Sequence, residues 1–256
     1  MARIRKIEIQ NFRGIKELVW LPSAGINCLI GPGDSGKSSI LDAIDYCVGV
    51  RRNIQFTDAD FHGLDVEQPI RISVTIGELD DALKNMDVYG LYVRGFDARS
   101  GEIEDEPEKE AETVLTVRLT VAGDLDPVGG SIRAMLDAHA VSFTGGTISL
   151  HDEEGVPLRG LGVGSTRLLI AGLQRKAASE SSILLMDETE HGLEPHRIIR
   201  LLGSLGAKES RLPPLQVFMT THSPVVLREL AGKQLFVVRR GDQSHEIIQV
   251  GTANGI

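Results

Sequence analysis

Cysteine is scarce. The 256 residues include two, Cys28 and Cys47, both in apolar segments and without CxxC spacing. This argues against a disulfide framework and a cysteine zinc site, and the expectation is two buried, reduced thiols. Long hydrophobic runs are missing as well. No apolar stretch approaches the roughly 18 residues needed to cross a bilayer, and the opening Met1-Ala2-Arg3-Ile4-Arg5-Lys6 lacks the apolar stretch of a signal peptide. A cytoplasmic chain without membrane contact is therefore expected. Positive charge is in deficit: at a formal net charge of −9, the whole-molecule field attracts neither DNA nor an anionic membrane, and any nucleic-acid contact must be local. No repeat of solenoid period is visible. What is present, 41% hydrophobic and 25% charged residues with 28 glycines and 10 prolines scattered along the chain, suits a folded protein of one large domain or two small lobes.

Periodicity divides the chain. Residues 3–9 alternate polar and apolar, and after a turn at Arg13-Gly14 the run Ile26-Asn27-Cys28-Leu29-Ile30 ends at glycine, so two strands are expected to open the chain. From Lys37 to Val48, Ile40, Leu41, Ala43, Ile44, Cys47 and Val48 recur at helical spacing. Ile70, Ile72, Val74 and Ile76 alternate with polar residues, as do Leu115, Val117, Leu119 and Val121, which predicts an antiparallel pair. Between them, residues 101–112 set seven acids against one lysine, the pattern of a solvated hairpin tip. Residues 124–131 end a strand, and a helix is expected to restart at Ile132 across Gly129-Gly130-Ser131. That joint reads as an ordinary turn or as a short linker replacing something longer. Further on, helices are predicted over 165–178, 195–205 and 224–230, with strands over Ile183–Met186 and 215–219 and near Leu235 and Ile247. Such alternation favours a mostly parallel sheet flanked by helices.

Gly31-Pro32-Gly33-Asp34-Ser35-Gly36-Lys37-Ser38 fits GxxxxGK[ST] and lies between an apolar strand and an amphipathic helix, where phosphate binding requires it. Glycines let backbone N–H groups curl around phosphate oxygens, and the helix N-terminus adds its positive dipole end. Lys37 is expected to reach the β- and γ-phosphates, Ser38 to ligate magnesium, and Ser39 to contact the α-phosphate. Ser182-Ile183-Leu184-Leu185-Met186-Asp187-Glu188 is an apolar strand ending in two carboxylates. Asp187 is expected to hold magnesium, directly or through water, and Glu188 to orient or deprotonate the water attacking the γ-phosphate.

Residues 187–197, Asp-Glu-Thr-Glu-His-Gly-Leu-Glu-Pro-His-Arg, followed by Thr220-Thr221-His222-Ser223-Pro224, resemble the Walker B, D-loop and H-loop series of ABC-type ATPases. Arg159-Gly160-Leu161-Gly162-Val163-Gly164-Ser165-Thr166-Arg167-Leu168-Leu169 is similar to the signature motif. More narrowly, Ile7-Glu8-Ile9-Gln10-Asn11-Phe12-Arg13-Gly14, taken with these motifs, resembles the overcoming-lysogenization-defect (OLD) family of ATP-dependent endonucleases, which act in phage defence. The resemblance implies an α/β P-loop NTPase of ABC type, with a mostly parallel central sheet and an antiparallel β subdomain. Residues 1–256 would form one head, with 1–128 carrying the phosphate loop and 132–256 the signature, Walker B and H-loop. It further implies Mg-ATP hydrolysis in a homodimer formed on ATP binding. Gly164 and Ser165 of one subunit would approach the γ-phosphate held by the other, and His222 would contact that phosphate or the catalytic water. Leu193 and Glu194 would lie at the subunit boundary. Gly162 replaces the usual signature serine, so a hydroxyl contact would be absent or supplied by Ser165. The Q-loop has no sharp motif: Gln55 is the candidate magnesium-side residue, with Asp60 equally placed. The family's helical insertion and C-terminal Toprim nuclease domain are not visible, so DNA cleavage is not assigned here, and Gly129-Gly130-Ser131 falls where the insertion is expected, as in a trimmed or engineered head. An ATP-gated clamp with little turnover, and a DNA-repair or chromosome-maintenance head, are the alternatives. Arg3, Arg5, Lys6, Arg13 and Lys16 are candidates for DNA contact or a solvated strand face.

Overall fold

Alternating burial along Arg3–Phe12 makes β1, whose Ile4, Ile7, Ile9 and Phe12 are fully buried. The structure, a computed structural model, describes residues 2–49, 54–79, 93–98, 100–104, 111–122, 133–136, 182–209, 215–241 and 243–251. The signature segment with Gly164 and Ser165, the helix expected over 165–178, the Gly129-Gly130-Ser131 joint and the middle of the acidic 101–112 segment lie outside the described residues.

From β1 the chain turns at Arg13-Gly14 into β2 (Ile15–Trp20), which pairs back antiparallel. Further strands β4 (Ile70–Gly77), β5 (Val93–Phe96), β6 (Ile103–Glu104), β7 (Glu112–Ala122) and β8 (Arg133–Leu136) complete a seven-stranded antiparallel sheet ordered β2-β1-β4-β7-β5-β6, with β8 also on β7. The expected pairing of the 70–76 and 115–121 segments is present, with Ile70 opposite Val121 and Ile76 opposite Leu115. Helix α1 (Lys37–Val48) packs Ile40, Leu41, Ala43, Ile44 and Cys47 against this sheet, each large aliphatic contributing roughly 1.5–3 kcal/mol. Burial pushes the Cys47 thiol up to about 12, and backbone hydrogen bonds from Leu119 and Val74 only partly oppose the shift.

The second sheet, ordered β12-β11-β3-β10-β9, has five strands: β3 (Ile26–Ile30), β9 (Ile183–Met186), β10 (Gln216–Thr220), β11 (Leu235–Arg240) and β12 (His245–Gln249). The four strands from β11 to β9 pair parallel, and β12 closes the edge antiparallel. Helices α2 (Pro195–Ser204) and α3 (Pro224–Glu229) bury Ile198, Leu201, Leu202 and Val226 in one cluster with Leu184, Val217 and Met219 of the sheet. Each helix begins with proline, whose missing N–H costs nothing in the first turn. Ser223 caps α3 by accepting from the Val225 N–H at 3.2 Å. Among the described residues no helix is long and apolar enough to cross a membrane.

The two sheets are joined by a side chain. The fully buried Gln216 of β10 accepts the Ile4 N–H at 2.7 Å and donates to the Ile4 carbonyl at 3.0 Å and the Ser23 carbonyl at 2.8 Å. Nearby, Trp20 of β2 meets Phe218 and Phe236 edge-on, with centroids 5.6 and 5.5 Å apart.

Two expectations are corrected. Residues 15–20 form a strand that was not anticipated: Lys16-Glu17 and the outward Val19, 54% exposed, break the alternation. The helix expected to restart at Ile132 is instead β8, because the short run 133–136 finds an open edge at β7 residues 119–122, and a run that short does not separate helix from strand by periodicity. Most of the basic residues near the N-terminus are engaged. Arg3 pairs with Glu78, Arg5 with Glu78 and Glu112, Lys6 with Glu8, and Arg13 with Asp42 and Asp60.

Candidate nucleotide site

The phosphate loop spans the gap between the end of β3 and the start of α1. Three of its residues turn left-handed, Gly31 at φ 151°, Asp34 at φ 58° and Gly36 at φ 87°. Gly31 is also pressed against β11: a Cβ there would lie 2.7 Å from the Val238 carbonyl oxygen. The loop closes around Lys37, whose Nζ donates to the carbonyls of Gly31 (3.1 Å) and Pro32 (2.7 Å) and to Ser35 Oγ (3.3 Å). Burial pulls the Lys37 ammonium below its ordinary pKa, and the fields of Asp187 and Asp34 oppose that shift. Pro32, Gly33, Asp34 and Ser38 face solvent, Ser35 is buried, and Ser39 is half-buried on the first turn of α1.

Parallel pairing of β9 with β10 brings the Walker B carboxylates to the same end of the sheet. Ser38 Oγ lies 3.1 Å from Asp187 Oδ1, so the two expected magnesium-side groups are brought together. The Thr220 hydroxyl joins them, donating to the same Asp187 oxygen while accepting the Glu188 N–H at 2.7 Å. Thr189 adds its N–H and hydroxyl to the Thr220 carbonyl at 3.0 and 3.1 Å. This clamp holds Glu188 left-handed, at φ 45°, an unusual conformation for a non-glycine residue and one that clusters at active sites. Its carboxylate is exposed and lies 3.5 Å from His191 Nδ1.

Glu190 positions the Thr221–His222 segment. Its carboxylate accepts from the Thr221 hydroxyl at 2.6 Å and from the His222 N–H at 2.7 Å. Burial raises the Glu190 pKa, yet these hydrogen bonds outweigh it and hold the group below the usual carboxylate value. The His222 side chain is exposed on this anchored backbone. Gln55 is exposed in the segment before a short 3-10 turn (Asp58–Asp60), and the Asp60 carboxylate is taken up by Arg13 at 2.9 Å and by Thr57. Thr220 and Glu190 were not assigned roles on sequence; a polar residue closing an apolar strand beside the Walker B strand is the signal that marks Thr220. His245 carried no signal at all. Its buried Nε2 has no hydrogen-bond partner among the described residues and lies 3.4 Å from where a Cβ on Gly36 would be.

A hydroxyl and a carboxylate beside a phosphate loop suit magnesium, a hard cation that keeps most of its shell as water and phosphate oxygens and takes one or two protein ligands. Among the described residues there is no group of three or more His, Cys, Asp or Glu that could hold a metal.

Comparison with known proteins agrees with this geometry. The family described as "AAA domain, putative AbiEii toxin, Type IV TA system" matches residues 91–228, more than half of the chain, and the AAA ATPase domain family matches residues 3–111. A DNA replication and repair protein RecF of Prosthecochloris aestuarii is 56% identical over 45 residues, which are 18% of this chain and 12% of that protein. The chromosome partition protein Smc of Methanocaldococcus jannaschii is 41% identical over 49 residues, 19% of this chain and 4% of that protein. Both matches thus span a small part of the relative's length. Among solved structures, an Smc head bound to the C-terminal winged-helix domain of ScpA superposes with a TM-score of 0.53 at 15% identity, covering 98% of each chain. That likeness shows the fold, an α/β ABC-ATPase head with mixed sheets. The matched families, the phosphate loop between β3 and α1 and the paired Walker B strand together place the chain in this AAA-domain family of P-loop ATPases, related to the RecF and Smc heads.

Proposed function

We propose that the chain binds and hydrolyses Mg-ATP and pairs with a second copy around the nucleotide. The observation that carries the reading is the convergence of Ser38, Asp187, Thr220 and Glu188 at one sheet end beside the Lys37 loop. Lys37 and the loop N–H groups hold the β- and γ-phosphates. Ser38 and Asp187 hold the magnesium, whose charge offsets that of the phosphates. Glu188 orients the attacking water and accepts its proton as oxygen bonds to the γ-phosphorus and the bond to ADP breaks. Gly164 and Ser165 of the second copy supply further N–H groups to the γ-phosphate, with His222 facing it from the H-loop. Gln55 remains the proposed Q-loop residue, since Asp60 is bound to Arg13. The likeness to RecF and Smc supports a head that serves DNA repair or chromosome maintenance. The narrower reading, the motor part of an OLD-family endonuclease, rests on the 7–14 string, which forms the end of β1 and its turn.

The test is solution mass by light scattering with and without a non-hydrolysable Mg-ATP analogue, together with phosphate release on Mg-ATP. The wild type should double its mass and release phosphate, and Lys37→Ala should do neither. A wild type that stays monomeric and inert sinks the proposal. Gly31→Ala should weaken ATP binding by roughly tenfold to a hundredfold, because a left-handed alanine facing the Val238 carbonyl costs about 1–3 kcal/mol of strain. Calorimetric titration reads this directly, and an unchanged affinity would show that the loop adapts.

A further inference from the structure

On the face of the antiparallel sheet opposite α1, an open cavity of about 330 Å³ is lined by Glu8, Gln10, Arg71, Ser73 and Arg118. Register explains the grouping. Glu8, Ser73 and Arg118 stand in one cross-strand row of β1, β4 and β7, and Gln10 and Arg71 stand in the next. Arg71 and Arg118 are therefore diagonal neighbours, with Cβ atoms roughly 7–8 Å apart, close enough for both guanidiniums to reach one group between them.

The charges are arranged unusually for a chain with a net charge of −9. Glu8 is neutralised from outside the cavity by Lys6 at 3.0 Å. Arg71 is exposed and has no acidic partner among the described residues, and Arg118, also exposed, donates through Nε to Ser73 Oγ at 2.9 Å while its terminal nitrogens make no hydrogen bond among the described residues. Ser73, 5% exposed, already accepts that bond, so its own proton is available to a ligand. Two guanidiniums converging from different strands exceed what a carboxylate needs, since one bidentate arginine serves it. They suit a group with three or more oxygens. The volume exceeds that of a bare phosphate and sits at the low end of small-ligand pockets. Glu8, Gln10 and Ser73 supply acceptors and donors for hydroxyl groups.

We propose that this cavity binds a sugar phosphate, with Arg71 and Arg118 on the phosphate and Glu8, Gln10 and Ser73 on the sugar. The site lies on strands β1, β4 and β7 and uses none of the residues of the Lys37 loop. The same chemistry comes from two sources, a free phosphorylated sugar or the backbone of a nucleic acid, and two probes tell them apart: ribose 5-phosphate by calorimetry and a short labelled single-stranded DNA by fluorescence anisotropy.

Both are measured on the wild type, on the Arg71→Ala/Arg118→Ala double variant and on Lys37→Ala. At least one probe should bind the wild type, lose about tenfold or more in affinity in the double variant, and bind Lys37→Ala as well as the wild type. The double variant should keep the wild-type melting temperature and its response to ATP, since both side chains are exposed. Ribose 5-phosphate alone would assign a metabolite, and DNA alone, with a salt slope reduced in the double variant, would assign a nucleic-acid backbone. Two results overturn the proposal: neither probe binds, or binding survives in the double variant.

Discussion

Glu188→Gln is expected to cut steady-state phosphate release by about a hundredfold or more, the scale of a lost general base, while leaving ATP affinity near the wild-type value. The amide keeps the shape of the side chain and leaves the Glu188 N–H on the Thr220 hydroxyl, so the left-handed turn and the Ser38–Asp187 contact survive. What is lost is the lone pair that receives the proton of the attacking water. Nucleotide should consequently stay trapped, and light scattering on the variant with Mg-ATP should show the dimer persisting after the wild type has consumed its ATP and separated. Turnover within a few-fold of the wild type would remove Glu188 from the mechanism. Asp187 could then serve only if its hydroxyl contacts were broken, and Thr220→Val would reveal that.

Gln216→Leu should be strongly destabilising although it leaves the shape of the core almost unchanged. Leucine is close to glutamine in size and suits an apolar strand, so packing is nearly preserved. The Ile4 N–H, the Ile4 carbonyl and the Ser23 carbonyl, however, lose a partner in the interior. At about 1–3 kcal/mol for each buried group left unpaired, the cost is about 3 kcal/mol or more, a substantial part of the roughly 5–15 kcal/mol that holds a domain folded. Urea unfolding followed by fluorescence of Trp20, the single tryptophan, would measure it. Trp20 packs on Phe218 and Phe236 of the parallel sheet, so it reports on the same junction. A midpoint within a few tenths molar of the wild type would mean that water or the backbone replaces the amide.

The two expectations differ in how far the sequence could have announced them. The role proposed for Glu188 can be read from the sequence because its signals are local: an apolar strand, two acids and a phosphate loop upstream all point to the end of β9. The elements that carry a strong period, α1, α2, α3 and the β4/β7 pair, were legible for the same reason. Gln216 was not, because its partner is 212 residues away and a glutamine opening a strand looks like any polar flank. Thr220, Glu190 and His245 belong to the same class, since their roles are set by what the neighbouring strand or loop places opposite them. β2 was obscured by an apolar residue that faces outward, Val19, and β8 by its length. Arg71 and Arg118 were invisible as a pair until register put them on adjacent strands.

The strand order of the parallel sheet bears on how the molecule is made. β3, which delivers the phosphate loop, lies between β10 and β11, so the backbone hydrogen bonds along both its edges come from residues 216–220 and 235–237. During synthesis, β1, β2, β4 and β7 can close into their antiparallel pairs once residue 122 is made, whereas β3 remains without neighbours until residues 216–220 and 235–237 follow. Long-range pairing of this kind is slow, and it leaves an unpaired strand flanked by apolar side chains during the wait. The phosphate loop is thus made long before the strands that give it its shape.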